Sequence, residues 1–289
     1  MLKNENKFYN SNEKPYFRSS VKMKYLSLAL IIISLLLGSC KSKFQKALKN
    51  PDIKTKLEVG EYFFKKKDYY RAQSLFDQIE NEVTNTALGE RVLFYQAQCD
   101  FGLKAYSLAG YRYKIYYETY PTNANAEEAL YMNAYCIYLE SQDVELDQTD
   151  TYKAVETFKI FVSVYPDSKY VEECNKYLDK LRAKLSQKAY NNAKLYYNIG
   201  EYRSAIVALR NVVNDFPEVP QREEIDYLVL SSSYMLAENS IPEKQIERYQ
   251  ETINAFDEFT EYYTENSKYM SNAKTIKQKA ELALNKLKK

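Results

Sequence analysis

Residues 92–103 read VLFYQAQCDFGL and residues 129–140 read ALYMNAYCIYLE, so the chain repeats itself at an offset of 37 positions. The alignment places Ala97 over Ala134. A second small residue also follows the first one after twelve positions, in the pairs Gly60 and Ala72, Ala97 and Ala109, and Ala193 and Ala205. A period in this range is typical of helical repeat proteins, in which each unit buries its apolar face against its neighbours.

Bulky residues and prolines keep the same register as the small residues. Four positions after the second small residue comes an aromatic residue or Leu, at Phe76, Tyr113, Phe158 and Leu209. Three units then close with a proline, at Pro121, Pro166 and Pro217. This pattern resembles the tetratricopeptide repeat (TPR), whose two antiparallel helices cross at small residues and end at a proline. We therefore predict an all-α fold: an α-α superhelical solenoid of about five TPR-like helical hairpins with a C-terminal capping helix.

Two departures from the repeat predict special elements. Ala134 and Ala154 lie 20 residues apart instead of twelve, which predicts a solvated surface loop at 140–151. Ala154 and Ala193 lie 39 apart where other units have 25, and helical spacing continues through the extra residues. We therefore predict one long helix over about 168–199 that lengthens this element by roughly 21 Å and separates two halves of the solenoid.

The composition excludes several classes of function. The chain has no His, which removes imidazole catalysis and imidazole metal sites. Its 41 basic and 39 acidic residues give no sign of a nucleic-acid partner. Cys99, Cys136 and Cys174 show no metal-ligand spacing, and we expect them to be free, buried thiols. With no separate catalytic domain in the repeat pattern, we predict a protein that is not an enzyme and carries no metal and no cofactor apart from a covalent lipid.

The prediction of a covalent lipid rests on the N-terminal segment. An apolar run, YLSLALIIISLLL at 25–37, has the length of a signal-peptide core and not that of a membrane-spanning helix. It leads into Leu37-Gly38-Ser39-Cys40, which resembles the lipobox of bacterial lipoproteins. We predict a signal peptide at 1–39, with translation starting at Met23, and a lipidated Cys40 followed by a linker to residue 52. The remaining segments are TPR units 1–3 at 53–166, then the long bridging helix, units 4–5 and the capping helix at 167–289.

A lipobox followed by five TPR-like units resembles one family, the BamD lipoproteins of the β-barrel assembly machinery in the bacterial outer membrane. The segments that carry the resemblance combine Tyr, Ala and Pro, and they are EYFFKKKDYYRAQSLFDQI (61–79), YPTNANAEEALY (120–131), YPDSKYVEEC (165–174) and YNIGEYRSAIVALRNVVNDFP (197–217). The resemblance implies a lipid-anchored protein on the periplasmic side of the outer membrane. It also implies two partners, unfolded β-barrel outer-membrane proteins and BamA, which such proteins bind through its POTRA domains. We expect no homo-oligomer.

The resemblance also implies where the partners bind. N-terminal units would hold the C-terminal targeting strand of a barrel substrate, and C-terminal units would contact BamA. The first helix of each TPR unit lines the concave face, so the register predicts a groove that suits an extended peptide with alternating apolar residues. Its candidate residues are Leu57, Phe64, Phe94, Phe101, Tyr131, Tyr135 and Tyr138. The same rings could be core residues packed between units, and a mixed role is our expectation. Arg203 and Arg210 are the candidates for the BamA interface.

Other functions remain open at this point. The main alternative is another TPR-type periplasmic lipoprotein adaptor, for example one that coordinates cell-wall synthesis, although the coiled-coil segment that often accompanies that role is absent from the sequence pattern. A glycan-binding uptake lipoprotein would need a large insert and aromatic sugar platforms, and the chain has neither an insert nor any Trp.

Overall fold

The computed structural model describes residues 42–84 and 86–288, and every regular element in these ranges is a helix. Numbered in chain order, the helices are α1 (Lys43–Lys49), α2 (Ile53–Lys65), α3 (Tyr69–Phe76), α4 (Glu80–Val83), α5 (Ala87–Gly102), α6 (Tyr106–Thr119), α7 (Ala126–Glu140), α8 (Thr149–Val164), α9 (Val171–Asn198), α10 (Tyr202–Asp215), α11 (Arg222–Glu238), α12 (Pro242–Tyr262) and α13 (Met270–Leu287). The predicted all-α fold is therefore confirmed. None of these described helices is long and apolar enough to cross a membrane.

The described chain separates into two compact units, one up to Tyr95 and one from Gln96 onward. The boundary falls inside α5. These units differ from the predicted division into 53–166 and 167–289, which was drawn from the repeat register and not from packing. Each unit is described by itself below.

Capping residues, prolines and one glycine define the ends of the helices. Asp52 and Asp68 cap α2 and α3, because their carboxylates accept the backbone N–H groups of Thr55 (2.7 Å) and Arg71 (3.3 Å). At the other end, α6, α8 and α10 each stop two residues before a proline, namely Pro121, Pro166 and Pro217. Gly200 follows α9 with a φ of +84°, a conformation that L side chains rarely adopt.

Small residues lie where the helices of a hairpin cross. In the first unit, a Cβ atom on Gly60 of α2 would lie 2.5 Å from Cε1 of Phe76 on α3, so only glycine permits this approach. In the second unit the corresponding alanines are fully or almost fully buried, and they are Ala109, Ala134, Ala154, Ala193 and Ala205. Consecutive helices pack on one another in chain order, α7 on α8, α9 on α10, and α11 on α12, with α13 on α12. This is the arrangement of stacked TPR-like hairpins with a terminal capping helix.

The long helix α9 has 28 residues, about 42 Å, and lies within the predicted 168–199. Its N-terminal half contributes Cys174 and Leu181 to a core shared with α7 and α8. Its C-terminal half contributes Tyr190 and Ala193 to a separate core shared with α10 and α11. Helix α9 therefore belongs to two successive cores of the second unit, as a bridging helix should.

The loop between α7 and α8 has mostly exposed side chains, in agreement with the predicted surface loop, and its backbone is bound by two lysines of α9. Lys184 of α9 donates to the Ser141 hydroxyl and to the Gln142 carbonyl, both at 2.8 Å. One turn later, Lys188 donates to the carbonyls of Glu145 (2.8 Å) and Leu146 (3.1 Å). The acidic side chains that suggested a free surface loop thus coexist with a backbone fixed by two lysines.

Candidate functional site

Aromatic rings form a continuous array on the first helices of the second unit. Tyr131, on α7, stacks on Tyr170 at 4.2 Å and 10°, at the start of α9. Further along the same two helices, Tyr177 packs against Tyr138 at 4.5 Å and against Tyr135 at 5.3 Å. Phe101, at the end of α5, reaches Tyr135 at 6.1 Å. We call this set (Phe101, Tyr131, Tyr135, Tyr138, Tyr170 and Tyr177) the ring array.

Burial divides the predicted groove residues into two groups. Leu57, Phe94 and Tyr131 are buried, with exposed fractions of only 5%, 9% and 6%, and correspond to the core part of the expected mixed role. Phe64, Phe101, Tyr135 and Tyr138 are half-buried and present part of each ring to solvent. The candidate groove residues therefore comprise three buried side chains and four that are partly exposed.

The first unit carries a smaller aromatic cluster of its own. Phe64 lies between Tyr69 (5.8 Å) and Tyr95 (5.0 Å), and Tyr95 stacks on the buried ring of Phe76 at 5.3 Å and 11°. Leu57 lies two turns earlier on the same helix and is buried. Phe64 is therefore the predicted residue of this unit that keeps an accessible ring edge.

Charged groups surround the ring array. The Tyr177 hydroxyl donates to the Glu173 carboxylate at 2.7 Å. Burial, followed by this carboxylate, raises the pKa of both Tyr177 and Tyr131 above the ordinary tyrosine value, so both hydroxyls stay protonated at neutral pH. The Lys169 ammonium lies 4.8 Å from the Tyr170 ring centre and that of Lys180 lies 5.7 Å from the Tyr177 ring centre. The array can therefore offer flat apolar contacts, hydroxyl donors and two cations.

Sequence reasoning missed Tyr170 and Tyr177 as members of the array. The signal was present, because both lie on the helical stripe of the long helix, seven residues apart. Helical spacing alone predicts packing for such a stripe, and its members Cys174 and Leu181 are fully buried. Tyr170 and Tyr177 differ because they remain half-buried at the edge of that stripe.

The predicted interface residues Arg203 and Arg210 lie two turns apart on α10 and are both exposed. Arg210 forms an ion pair with Glu258 of α12 at 2.9 Å. It borders a groove of about 340 Å³ whose other walls come from α11 and α12, including Arg222, Asp226 and Tyr262. Phe259, which is buried, also lines the groove.

Arg203 borders a second and larger groove, of about 500 Å³. Its walls combine an apolar side chain, the 56%-exposed Val207, with charged residues of α12 such as Lys244 and Glu251. The structure brings both arginines to the same side of α10, and this surface is separate from the ring array.

Cys40 lies outside the described residues, and so does the predicted signal peptide. Of the other cysteines, Cys136 and Cys174 are free, buried thiols, as expected, and Cys99 is buried as well. Burial raises the pKa of the Cys136 thiol to about 12, which keeps it protonated and unreactive.

Comparisons with known proteins give a consistent result. The model of a family described as YfiO, outer membrane lipoprotein, matches residues 54–245. The chain is similar to the outer membrane protein assembly factor BamD of Rickettsia prowazekii (strain Madrid E), with 24% identity over 216 residues, covering 75% of this chain and 86% of that protein. It is also similar to the factor of the same name from Caulobacter vibrioides, with 19% identity over 65% of this chain and 63% of the relative. A solved TPR domain, that of P58(IPK), aligns with 81% of this chain and 66% of its own at 14% identity and a TM-score of 0.39.

Proposed function

Because this chain belongs to the YfiO family of outer membrane lipoproteins, whose model matches residues 54–245, we propose that it is a scaffold subunit of the machinery that assembles β-barrel proteins in the outer membrane. In this role it binds unfolded barrel proteins with one surface and BamA with another, and it performs no chemistry. The name that both relatives carry, outer membrane protein assembly factor, agrees with this role.

The observation that carries the substrate side of the proposal is the ring array. Half-buried rings on successive helices give a large contact area with little loss of side-chain entropy, which suits extended apolar segments. The ammonium groups of Lys169 and Lys180 lie beside the rings and can pair with the terminal carboxylate of a bound chain. The array thus fits the C-terminal strand of a barrel protein, ending in an aromatic residue.

This substrate role predicts that Tyr135→Ala weakens binding of a barrel C-terminal peptide about tenfold, because Tyr135 contacts Phe101, Tyr131, Tyr138 and Tyr177. Binding is measured by fluorescence anisotropy of a labelled peptide, with circular dichroism as a check on folding. The matched control is Tyr152→Ala, which removes an exposed tyrosine of α8 that lies outside the array.

The same assay tests the terminal carboxylate. A peptide with an amidated C-terminus should bind several-fold more weakly than the free acid, and Lys169→Met with Lys180→Met should abolish the difference. Equal binding of the acid and amide peptides to the unaltered protein would contradict the carboxylate role, and unchanged affinity of Tyr135→Ala would contradict the array itself.

The partner side of the proposal rests on the α10 surface. Arg203 and Arg210 present guanidinium groups beside two grooves, and guanidinium groups are well suited to bind carboxylates of a partner domain. We assign this surface to the POTRA domains of BamA. The ion pair of Arg210 with Glu258 is exposed, so exchanging it for a pair with BamA costs little.

Charge reversal provides the test of the partner role. We expect Arg210→Glu to reduce co-purification with BamA in mild detergent by about tenfold or more while lowering the free energy of unfolding by less than about 1 kcal/mol, because the pair it breaks is solvent-exposed. Arg182→Glu is the matched control, since Arg182 is equally exposed and forms an exposed pair with Glu218. Intact co-purification of Arg210→Glu, or equal loss in both variants, would remove Arg210 from the interface.

The proposal also includes the lipid anchor and the assignment of each partner to a segment of the chain. A diacyl or triacyl group on Cys40 would hold the protein on the periplasmic side of the outer membrane. The units at 53–166 would then serve the substrate, and the segment at 167–289 would serve BamA, with the substrate array extending onto the start of α9. Depletion of the protein should lower many barrel proteins at once, whereas the loss of one barrel protein alone would indicate a dedicated adaptor.

A further inference from the structure

Positive charge is concentrated at the beginning of the described chain. Residues 42–76 carry nine Lys or Arg and four Asp or Glu, whereas residues 77–289 carry 25 basic and 33 acidic residues. The near-neutral total therefore hides a basic first hairpin in front of an acidic remainder. Such an asymmetry indicates an anionic partner for the basic end.

The fold brings the basic residues of this segment together. The Lys43 ammonium, at the start of α1, lies 3.6 Å from the centre of the Tyr62 ring, and that of Lys66 lies 4.8 Å from the same centre. Lys65 ends α2, Lys66 and Lys67 form the turn to α3, and all three are exposed. The start of α1 and this turn thus share one surface, which we call the basic face.

Arg71 extends the basic face on its other side. Its guanidinium lies 5.9 Å from the Phe44 ring centre and 5.4 Å from that of Phe63, and Phe44 packs edge-on against Phe63 at 5.8 Å. These contacts hold α1 against the hairpin of α2 and α3. The basic residues of α1 and those of the hairpin therefore keep fixed positions relative to one another.

The acidic groups of this segment leave the basic face with a net positive charge, since residues 42–76 hold only Asp52, Glu58, Glu61 and Asp68 against nine Lys or Arg. Asp68 caps α3 and pairs with Arg71 at 3.2 Å, and Glu61 pairs with Arg91. Lys43, Lys65, Lys66 and Lys67 have no acidic partner among the described residues. The hydrogen bond and charge of Lys66, together with the charge of Lys43, hold the pKa of the Tyr62 hydroxyl below its ordinary value, as a positive local potential requires.

We propose that the basic face binds the anionic headgroups of the membrane in which the protein is anchored and holds the first hairpin against the lipid surface. The inference rests on the lipid anchor of the proposed function. Lys43 is the third residue after Cys40, so the chain between them reaches at most about 11 Å. An acylated Cys40 therefore keeps Lys43 within about one and a half Debye lengths of the headgroups, since the Debye length is about 8 Å at physiological ionic strength.

A membrane surface fits the basic face better than an acidic protein does. Apart from Arg71, the cations are lysines, and they are spread over α1 and the turn. Lysine ammonium groups are strongly hydrated point charges that suit diffuse attraction to a charged surface. The exposed rings of Tyr62 and Tyr70 on the same hairpin suit the polar boundary of a bilayer, where tyrosine is enriched.

The test compares vesicles that differ only in headgroup charge. Lipidated full-length mature protein is reconstituted in phosphatidylcholine vesicles and in vesicles with 30% phosphatidylglycerol. Lysine acylation by a water-soluble reagent is followed residue by residue with mass spectrometry. We expect Lys43 and Lys65–Lys67 to react at least about threefold more slowly on the anionic vesicles and the difference to vanish at high salt. Lys159 and Lys286, which are exposed lysines of α8 and α13, should react at equal rates on both.

Charge-reversal variants make the test specific. Lys43→Glu with Lys66→Glu should abolish the protection of Lys65 and Lys67, whereas Lys159→Glu with Lys286→Glu should leave it unchanged. Equal acylation rates of these lysines on both kinds of vesicle, with the protein still anchored, would contradict headgroup binding by the basic face. Protection of the lysines that appears only when an acidic protein is added would contradict it as well. Protein that leaves phosphatidylcholine vesicles but stays on anionic ones would contradict the anchor and still support the basic face.

Discussion

Phe158→Ala should lower the free energy of unfolding by about 3–5 kcal/mol, the largest stability loss that we expect from a single truncation near the ring array. Phe158, on α8, is fully buried and packs against Tyr177 at 5.5 Å and Tyr138 at 6.4 Å. Removing its ring leaves a cavity under both tyrosines, so the array loses its support as well as its packing. Urea denaturation followed by helical circular dichroism measures the change, since the chain has no Trp to report it.

Ile160→Ala is the matched control for this truncation. Ile160 lies two residues further along α8 with 49% of its surface exposed, so its loss should cost less than about 1 kcal/mol. Peptide affinity should fall in Phe158→Ala even under conditions where the variant remains folded, and it should be unchanged in Ile160→Ala. Similar stability losses in the two variants would show that Phe158 does not occupy the core position that the structure gives it.

The hairpin geometry could be predicted from the sequence because it depends on contacts within a single repeat. Two helices that cross closely require small residues at fixed spacing, and Ala72, Ala109 and Ala154 are all fully buried where the repeat places them. The prolines act locally too, since each one excludes its preceding residue from the helix. These signals are short-range and recur in several units, so their agreement identifies the fold.

The docked loop could not be predicted, because its partners lie 42 or 43 residues away. Lys184 and Lys188 look like solvated lysines on the polar face of a helix, and the acidic loop looks like surface. Only the packing of α9 beside the α7–α8 hairpin reveals that the lysines donate to loop carbonyls. Backbone acceptors leave no trace in side-chain composition, so the interaction has no sequence signal.

The repeat register also could not predict which rings of the array remain partly exposed. The register correctly places Tyr131, Tyr135 and Tyr138 on one helix, but their burial depends on what the following helix supplies. Tyr131 is buried where Tyr170 stacks on it, whereas Tyr135 and Tyr138 make tilted contacts with Tyr177 and stay half-buried. Whether a given ring is buried in the core or partly exposed in the groove therefore depends on the helix that packs against it.

Cys40→Ser should abolish fatty-acid labelling of the protein entirely, which is the largest functional effect that we expect from one substitution. Lipoprotein acylation requires the cysteine of the lipobox, and serine cannot form the thioether. The other three cysteines are buried in helical cores, so none of them can take over the modification. Metabolic labelling with an alkyne fatty acid, followed by in-gel detection, measures the loss.

Cys136→Ala is the matched control for the labelling experiment, because it removes a buried thiol and should leave the label intact. The mass of the mature wild-type protein should in turn correspond to a chain that begins at Cys40 and carries acyl groups. Label that persists in Cys40→Ser would place the lipid elsewhere and refute the lipobox. Since each buried methylene contributes about 0.8 kcal/mol, two or more acyl chains exceed any attraction that the basic face can add, so the anchor determines whether the protein is on the membrane and the basic face determines how it lies there.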